Sequence, residues 1–564
     1  VTVIPLHRGP VGLVLLVATS CSTEPSTDKA VADTSESTTS VSTNETGAED
    51  TDDSSPPDPG ADTATETGTP VIDEDSDGFP VEEDCDDNDP DRYPGAPEDC
   101  SDGVVNDCDG DVWSARNECG SLLSHTDALS TWSLSTSQLD AFRVRGIGDL
   151  DGDGYDDIAI GEPLYSRTEL SVGSIRVFHG PHSGVNALGD EDALIAGEQR
   201  EDAIGWDIAP MGDLDGDGYD DFAVGGSDPH LGSSASGTPS VYVVHGPGVL
   251  SSIREALLLV DSPSSIECLG SVLEPIPDAD GDGVADILVG GRCDNVVRLF
   301  SANTPAQVPG TDDITTFTGP EGEGRFGHAF ATGDLDGDGL VDVAIGDPDY
   351  HGDTNGSVTI FSSPPSGSVH YEDAAASILA EDEDSSNGHL LLGSGVAIGD
   401  LNGDGHDDLA AGAPLWSEDS REIGGILLVY FGPLTGTYAV GDASFRMKGD
   451  EDHQTLGGEV RSGIDLNGDN ADDLLFGNGY SEINGTAASG YTWGTTAYVL
   501  TSPLTAGTWA AMDADYLLAD SGAPTTDLFG QHLTLAGDSN GDGIAEVLVG
   551  NWFGTVHLFD IPPE

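Results

Sequence analysis

The chain has 564 residues, and its 104 acidic and 17 basic side chains give a formal charge of −87, which disfavours nucleic acid and anionic lipid surfaces as partners and leaves cations. Gly occurs 77 times and aromatic residues make up only 6%, a composition that suits short strands and tight turns better than long packed helices. The length exceeds what one ordinary core organises, so several domains or a repeat architecture are expected.

Residues 1–21 combine His7 and Arg8 with an apolar run from Val11 to Ala18 and small residues before Cys21. That is the pattern of an export signal, too short to span a bilayer. The run Val17-Ala18-Thr19-Ser20-Cys21 resembles the lipobox of bacterial lipoproteins, which implies either a lipid anchor on Cys21 or a plain secretory signal with a stray cysteine. Residues 22–72 are rich in Ser, Thr, Asp, Glu and Pro. With few large apolar groups to offset the entropy of ordering, they are expected to form a disordered stalk.

A small acidic, cysteine-rich module follows at 73–120. Asp73, Asp75, Asp77, Phe79 and Asp84 fall at positions 1, 3, 5, 7 and 12 of an EF-hand-type loop, Phe79 offering its carbonyl and Gly78 the sharp turn. Cys85, Cys100, Cys108 and Cys119 are closely spaced in an exported chain, which suggests two disulfides of undetermined pairing. The stretch resembles the metal-binding module of MopE-like bacterial surface proteins. That family includes copper binders, but oxygen donors dominate here, so about one Ca²⁺ is expected; an acidic disulfide knot without a specific ion is the alternative.

From residue 140 onward one nine-residue pattern occurs seven times, at starts 56 to 73 residues apart. Each copy offers side-chain oxygens at positions 1, 3, 5 and 9 and a carbonyl at position 7. The first three sets are Asp149, Asp151, Asp153, Tyr155 and Asp157; Asp213, Asp215, Asp217, Tyr219 and Asp221; and Asp278, Asp280, Asp282, Val284 and Asp286. Asp334, Asp336, Asp338, Leu340 and Asp342 form the fourth, and Asp400, Asn402, Asp404, His406 and Asp408 the fifth. Asp465, Asn467, Asp469, Ala471 and Asp473 form the sixth, and Asp538, Asn540, Asp542, Ile544 and Glu546 the seventh.

Carboxylates packed this closely repel unless a cation lies among them, and a set of hard oxygen donors suits calcium. Position 6 is Gly in six copies and Asn470 in the other, as a left-handed turn requires. Up to seven Ca²⁺ are therefore expected, against the alternative of solvated acidic turns. The sixth and seventh loops are the expected exceptions, because Asn467, Asn540, Asn470 and Glu546 depart from the pattern.

Alternating apolar residues follow each loop, such as Ile158 and Ile160 or Ile287 and Val289, and third and fourth alternating segments complete every repeat. Four antiparallel strands per repeat describe a blade, so the fold class is all-β, a seven-bladed propeller over 125–564. The repeats resemble the FG-GAP repeats of the integrin α-subunit propeller. Phe326-Gly327 and Phe529-Gly530 stand as FG elements and Gly412-Ala413-Pro414 as the GAP element. The FG position elsewhere reads Ile204-Gly205, Leu269-Gly270, Leu392-Gly393 or Leu456-Gly457, and the first copy has only Ala141-Phe142 nearby.

The seventh repeat stops after its third segment, and residues 128–137 precede the first, so this N-terminal segment is expected to close the ring as the missing outer strand. Cys268 and Cys293 flank the third loop, either as a disulfide or as two buried thiols. No HExxH, GxSxG or P-loop is present, and His179 and His245, which recur before Gly-Pro, are explained by a shared turn position.

No enzyme activity is expected. The resemblance implies a surface recognition or adhesion protein that binds an extracellular protein or glycan on the face opposite the calcium loops. A lectin-like protein or an accessory domain of a surface hydrolytic system is the alternative. A monomer is expected, exported to the outer membrane or cell surface or secreted, with membrane contact only through the lipid anchor.

Overall fold

The computed structural model describes Phe79, 92–94, Ala96, 122–133, 143–163, 165, 172–187, 189–198, 203–226, 240–248, 250–261, 269–291, 295–309, 311–320, 325–348, 355–363, 366–380, 390–417, 423–449, 454–469, 471–478, 496–519, 529–551 and 554–562. The signal, the stalk and all seven cysteines lie outside the described residues, as do Asp73, Asp75, Asp77, Asp84 and Asn470. Of the cysteine-rich module, the Phe79 ring stacks on Tyr93 at a centroid distance of 5.3 Å.

The repeats fold into seven sheets. Blade 1 runs Arg143–Gly148, Asp157–Glu162, Ser174–Phe178 and Ala193–Ala196, each strand antiparallel to the last, with the acidic loop joining the first two. The other blades repeat this order. Their innermost strands neighbour one another around the whole ring, His532–Gly537 of blade 7 lying beside Arg143–Gly148 of blade 1.

The hydrophobic core is divided accordingly into seven clusters, one between each pair of adjacent sheets. Both faces of a blade are therefore covered, and the second strand is buried along its whole length in blade after blade. Alternation in the sequence marks only one of those faces; small residues such as Ala159 and Ala223, both fully buried, pack the other.

The glycines of the FG and GAP elements have a common reason. Gly457 follows Leu456 at φ +90°, and a Cβ on Gly412 of the preceding blade would lie 1.8 Å from the Gly457 carbonyl oxygen. Gly225 and Gly270 repeat this between blades 2 and 3 at 1.8 Å. Adjacent sheets thus meet backbone to backbone at this point, an approach that only glycine permits.

The ring closes as expected from the sequence. Ser130–Ser133 pairs antiparallel with Thr555–Phe559 and is the outer strand of blade 7. Trp132 on this strand is buried against Phe178 and His182 of blade 1, at centroid distances of 5.8 and 5.2 Å.

One element is new. The segment between the third and fourth strands of a blade crosses to the preceding blade and lies parallel to its outer strand. Gly184–Ala187 does so on Ser130–Ser133, and Gly367–His370, Gly436–Ala439 and Gly507–Ala510 do so in later blades. Leu122–Ser124, which precedes the closing strand, covers Tyr516–Ala519 of blade 6 in the same way. The N-terminal segment therefore supplies both missing pieces of blade 7 and covers outer edges that would otherwise be open.

Candidate metal centre

All seven acidic loops join the first and second strands of their blades, and local hydrogen bonds build them alike. In blade 1 the Asp149 carboxylate accepts from the amides of Gly152, Asp153 and Gly154 at 2.6, 3.0 and 2.9 Å. Asp151 accepts from the Asp153 amide at 3.1 Å and Asp153 from the Tyr155 amide at 3.0 Å. Asp213, Asp278, Asp334 and Asp538 hold their loops with the same three-amide pattern. Such turns gather the side chains of positions 1, 3 and 5 on one side. Carboxylate oxygens of Asp149, Asp151 and Asp153 lie within 4.8 Å of one another, as do those of Asp213, Asp215 and Asp217 and of Asp278, Asp280 and Asp282.

Position 9 differs from the others because it begins the second strand and is buried. Asp157, Asp221, Asp286, Asp342 and Asp408 are fully buried, and Asp473 and Glu546 nearly so. One oxygen of Asp157 accepts from the Leu150 amide and the other from the Gly180 amide, each at 2.9 Å. Burial pushes Asp286 and Asp342 up to about 6 and Asp408, Asp473 and Glu546 up to about 7, amide donors offsetting it only in part. Asp286 Oδ1 and Asp408 Oδ2 are buried without a hydrogen-bond partner. A dehydrated anion beside two or three others is stabilised by a cation, so the donor set fits a hard divalent ion held by side-chain oxygens.

The loops with Asn at position 3 differ in detail. Asn467 Nδ2 donates to Asp469 at 3.3 Å, Asn540 Nδ2 donates to Asp542 at 3.2 Å and also to Glu546, and Asn402 Nδ2 donates to Asp408 at 3.3 Å. In these loops an amide N–H from position 3 stands where the remaining loops carry a carboxylate.

Two features were not legible in the sequence. Position 8 clamps neighbouring loops together: Asp220 accepts from the Asp149 amide at 2.9 Å, Asp472 from the Asp400 amide at 2.9 Å, and Asp407 and Asp156 from the Asp334 and Asp538 amides at 2.7 Å. The Asp220 amide in turn donates to the Asp149 carbonyl at 3.1 Å. Blades 3, 4 and 7 have Ala285, Val341 and Ala545 at this position and so lack the acceptor. The second feature is His179 and His245, whose rings lie against the loop carboxylates, which a shared turn position does not explain. His179 Nδ1 is 2.9 Å from Asp157 Oδ2, and His245 Nδ1 is 3.1 Å from Asp221 Oδ2.

The ring axis is lined by polar residues of the inner strands around a cavity of about 80 Å³. Arg143 Nη1 is 3.9 Å from Glu459, Arg145 Nη2 is 3.7 Å from Asp207, and Arg461 pairs with Glu459. Burial alone would raise Glu459, but Arg461, Arg143 and Arg145 outweigh it and hold the carboxyl at about 2. The first two pairs tie blade 1 to blades 6 and 2, while Arg461 and Glu459 share one strand of blade 6, and together they read as fastening of the inner strands.

A family model described as FG-GAP repeat matches residues 146–178, 326–361 and 392–430. The chain is 35% identical over 162 residues to integrin alpha-IIb of Homo sapiens, across 28% of this chain and 15% of that protein. It is 30% identical over 212 residues to integrin alpha-PS2 of Drosophila melanogaster, across 36% of this chain and 14% of that protein. Integrin alpha pat-2 of Caenorhabditis briggsae is 26% identical over 269 residues, across 45% of this chain and 20% of that protein. The chain thus spans between 14% and 20% of the length of these relatives. The matched repeats and relatives support an integrin-alpha-like propeller, in agreement with the blade geometry.

Proposed function

We propose that this chain is an exported recognition or adhesion module whose acidic loops hold calcium as structural ions and whose ligand is an extracellular protein or glycan. One observation supports the reading: loops of a single design recur in all seven blades, each ending in a buried carboxylate beside the other loop carboxylates. Similarity to integrin α-subunits supports recognition rather than catalysis as the role. Calcium would bind through Asp278, Asp280, Asp282 and Asp286 in blade 3 and through the equivalent residues of the other oxygen-dominated loops. It would neutralise the loops and stiffen the face they form, leaving the opposite loops to meet the ligand. The acidic module at 73–120 would take one further ion. Among the described residues no helix is long and apolar enough to cross a membrane, and a lipid on Cys21 would supply attachment.

The test is capture of surface and extracellular-matrix components by the full chain in millimolar calcium and again in chelator, with a glycan array beside it. Calcium-dependent capture of a protein or glycan is the expected result. Binding confined to soluble glycans favours the lectin reading, and identical capture with and without calcium overturns a calcium-organised surface.

A further inference from the structure

The position held by His179 and His245 at the end of the third strand is Ser301, Ser362, Phe431, Thr501 and Asp560 in blades 3 to 7. Only the first two blades therefore bring a nitrogen donor to the acidic loop from this strand. His179 Nδ1 lies 2.9 Å from Asp157 Oδ2 and 3.5 Å from Asp151 Oδ2. His245 Nδ1 lies 3.1 Å from Asp221 Oδ2 and 3.7 Å from Asp215 Oδ2. In each blade the three donor atoms fall within 4.8 Å of one another.

In blade 1 the His179 contact with Asp157 is itself a hydrogen bond, but two details point beyond such a bond. His245 Nδ1 makes no hydrogen bond although a carboxylate oxygen is 3.1 Å away, so the ring approaches without donor geometry. The spacing also matches a coordination polyhedron, because ligands about 2.0–2.1 Å from one ion stand about 3.0–3.4 Å apart. The same trio occurs twice on separate strands, and in both cases the position-9 carboxylate is fully buried while the ring is only partly exposed. Imidazole nitrogen favours first-row transition ions, whereas calcium takes oxygen alone.

We propose that Asp151, Asp157 and His179 in blade 1, and Asp215, Asp221 and His245 in blade 2, form mixed nitrogen and oxygen sites that select a first-row transition ion such as Zn²⁺ over Ca²⁺. This rests on the reading of the loops as cation sites and divides them into two classes. Blades 3 to 7 keep oxygen-dominated loops, where Ser362 Oγ, for example, donates to Asp336 at 2.7 Å in place of an imidazole.

The probe is Co²⁺, whose visible spectrum reports nitrogen ligation, titrated into the full chain already saturated with calcium. Two equivalents of cobalt with a nitrogen-type spectrum are expected. His179→Asn with His245→Asn should weaken cobalt binding at least about tenfold while leaving calcium at the other loops, which also reports that the variant is folded. Ser362→His should add a third equivalent. An oxygen-only cobalt spectrum, or cobalt binding unchanged in the double variant, overturns the proposal and leaves the calcium loops standing. A chain that binds neither ion overturns the loop reading together with it.

Discussion

Removing the divalent ion at neutral pH should cost this propeller a large part of its stability. For a site with a dissociation constant of about 0.1 mM, millimolar calcium contributes roughly 1.4 kcal/mol, so seven sites total about 10 kcal/mol. An unfolding entropy of about 2.1 cal/mol/K per residue over roughly 440 residues converts this to a fall of about 11 °C in melting temperature.

The buried position-9 carboxylates add a signature in pH. Asp286 and Asp342 at about 6, and Asp408, Asp473 and Glu546 at about 7, all stand above their ordinary values because of burial. A raised folded-state pKa gives stability that is fully present below about pH 4 and is lost as pH climbs through about 6 to 7. In chelator the melting temperature should therefore fall between about pH 5 and pH 8, and in calcium that slope should flatten, because the ion replaces the proton. Differential scanning calorimetry of the full chain at several pH values, with and without chelator, measures both effects. Coincident melting curves at pH 7.5, together with a flat pH profile in chelator, would refute the reasoning.

Two further outcomes test how the ring is held. Trp132→Ala leaves a cavity in the packed cluster between the closing strand and blade 1 and should cost about 3–5 kcal/mol by denaturant titration; a loss below about 1 kcal/mol would mean that this strand does not close the ring. Asp220→Ala strips the Asp149 amide of its acceptor and should cost about 1–3 kcal/mol, whereas Asp220→Asn keeps a carbonyl oxygen in place and should recover much of it; equal stability of the two variants would remove the clamp between loops.

The parts of this protein legible in its sequence are those whose partners lie close along the chain. Each acidic loop gathers its donors within nine residues, so its chemistry, its glycine turn and the strand after it are all written locally. Repetition then gave the number of blades, and the absent outer strand of the seventh repeat pointed to the segment around Trp132. The decisive contacts elsewhere join residues far apart. Asp220 reaches an amide 71 positions away, and His179 meets Asp157 only because the third strand pairs with the second. Arg143, Arg145 and Arg461 share an axis that exists only once seven inner strands form a ring.

A nine-residue pattern thus determined which oxygens share one loop, because turn geometry depends on immediate neighbours alone. Which loops are bridged, which gain an imidazole and which edges are covered was decided by sheet packing, since only there do side chains from different repeats come within bonding distance.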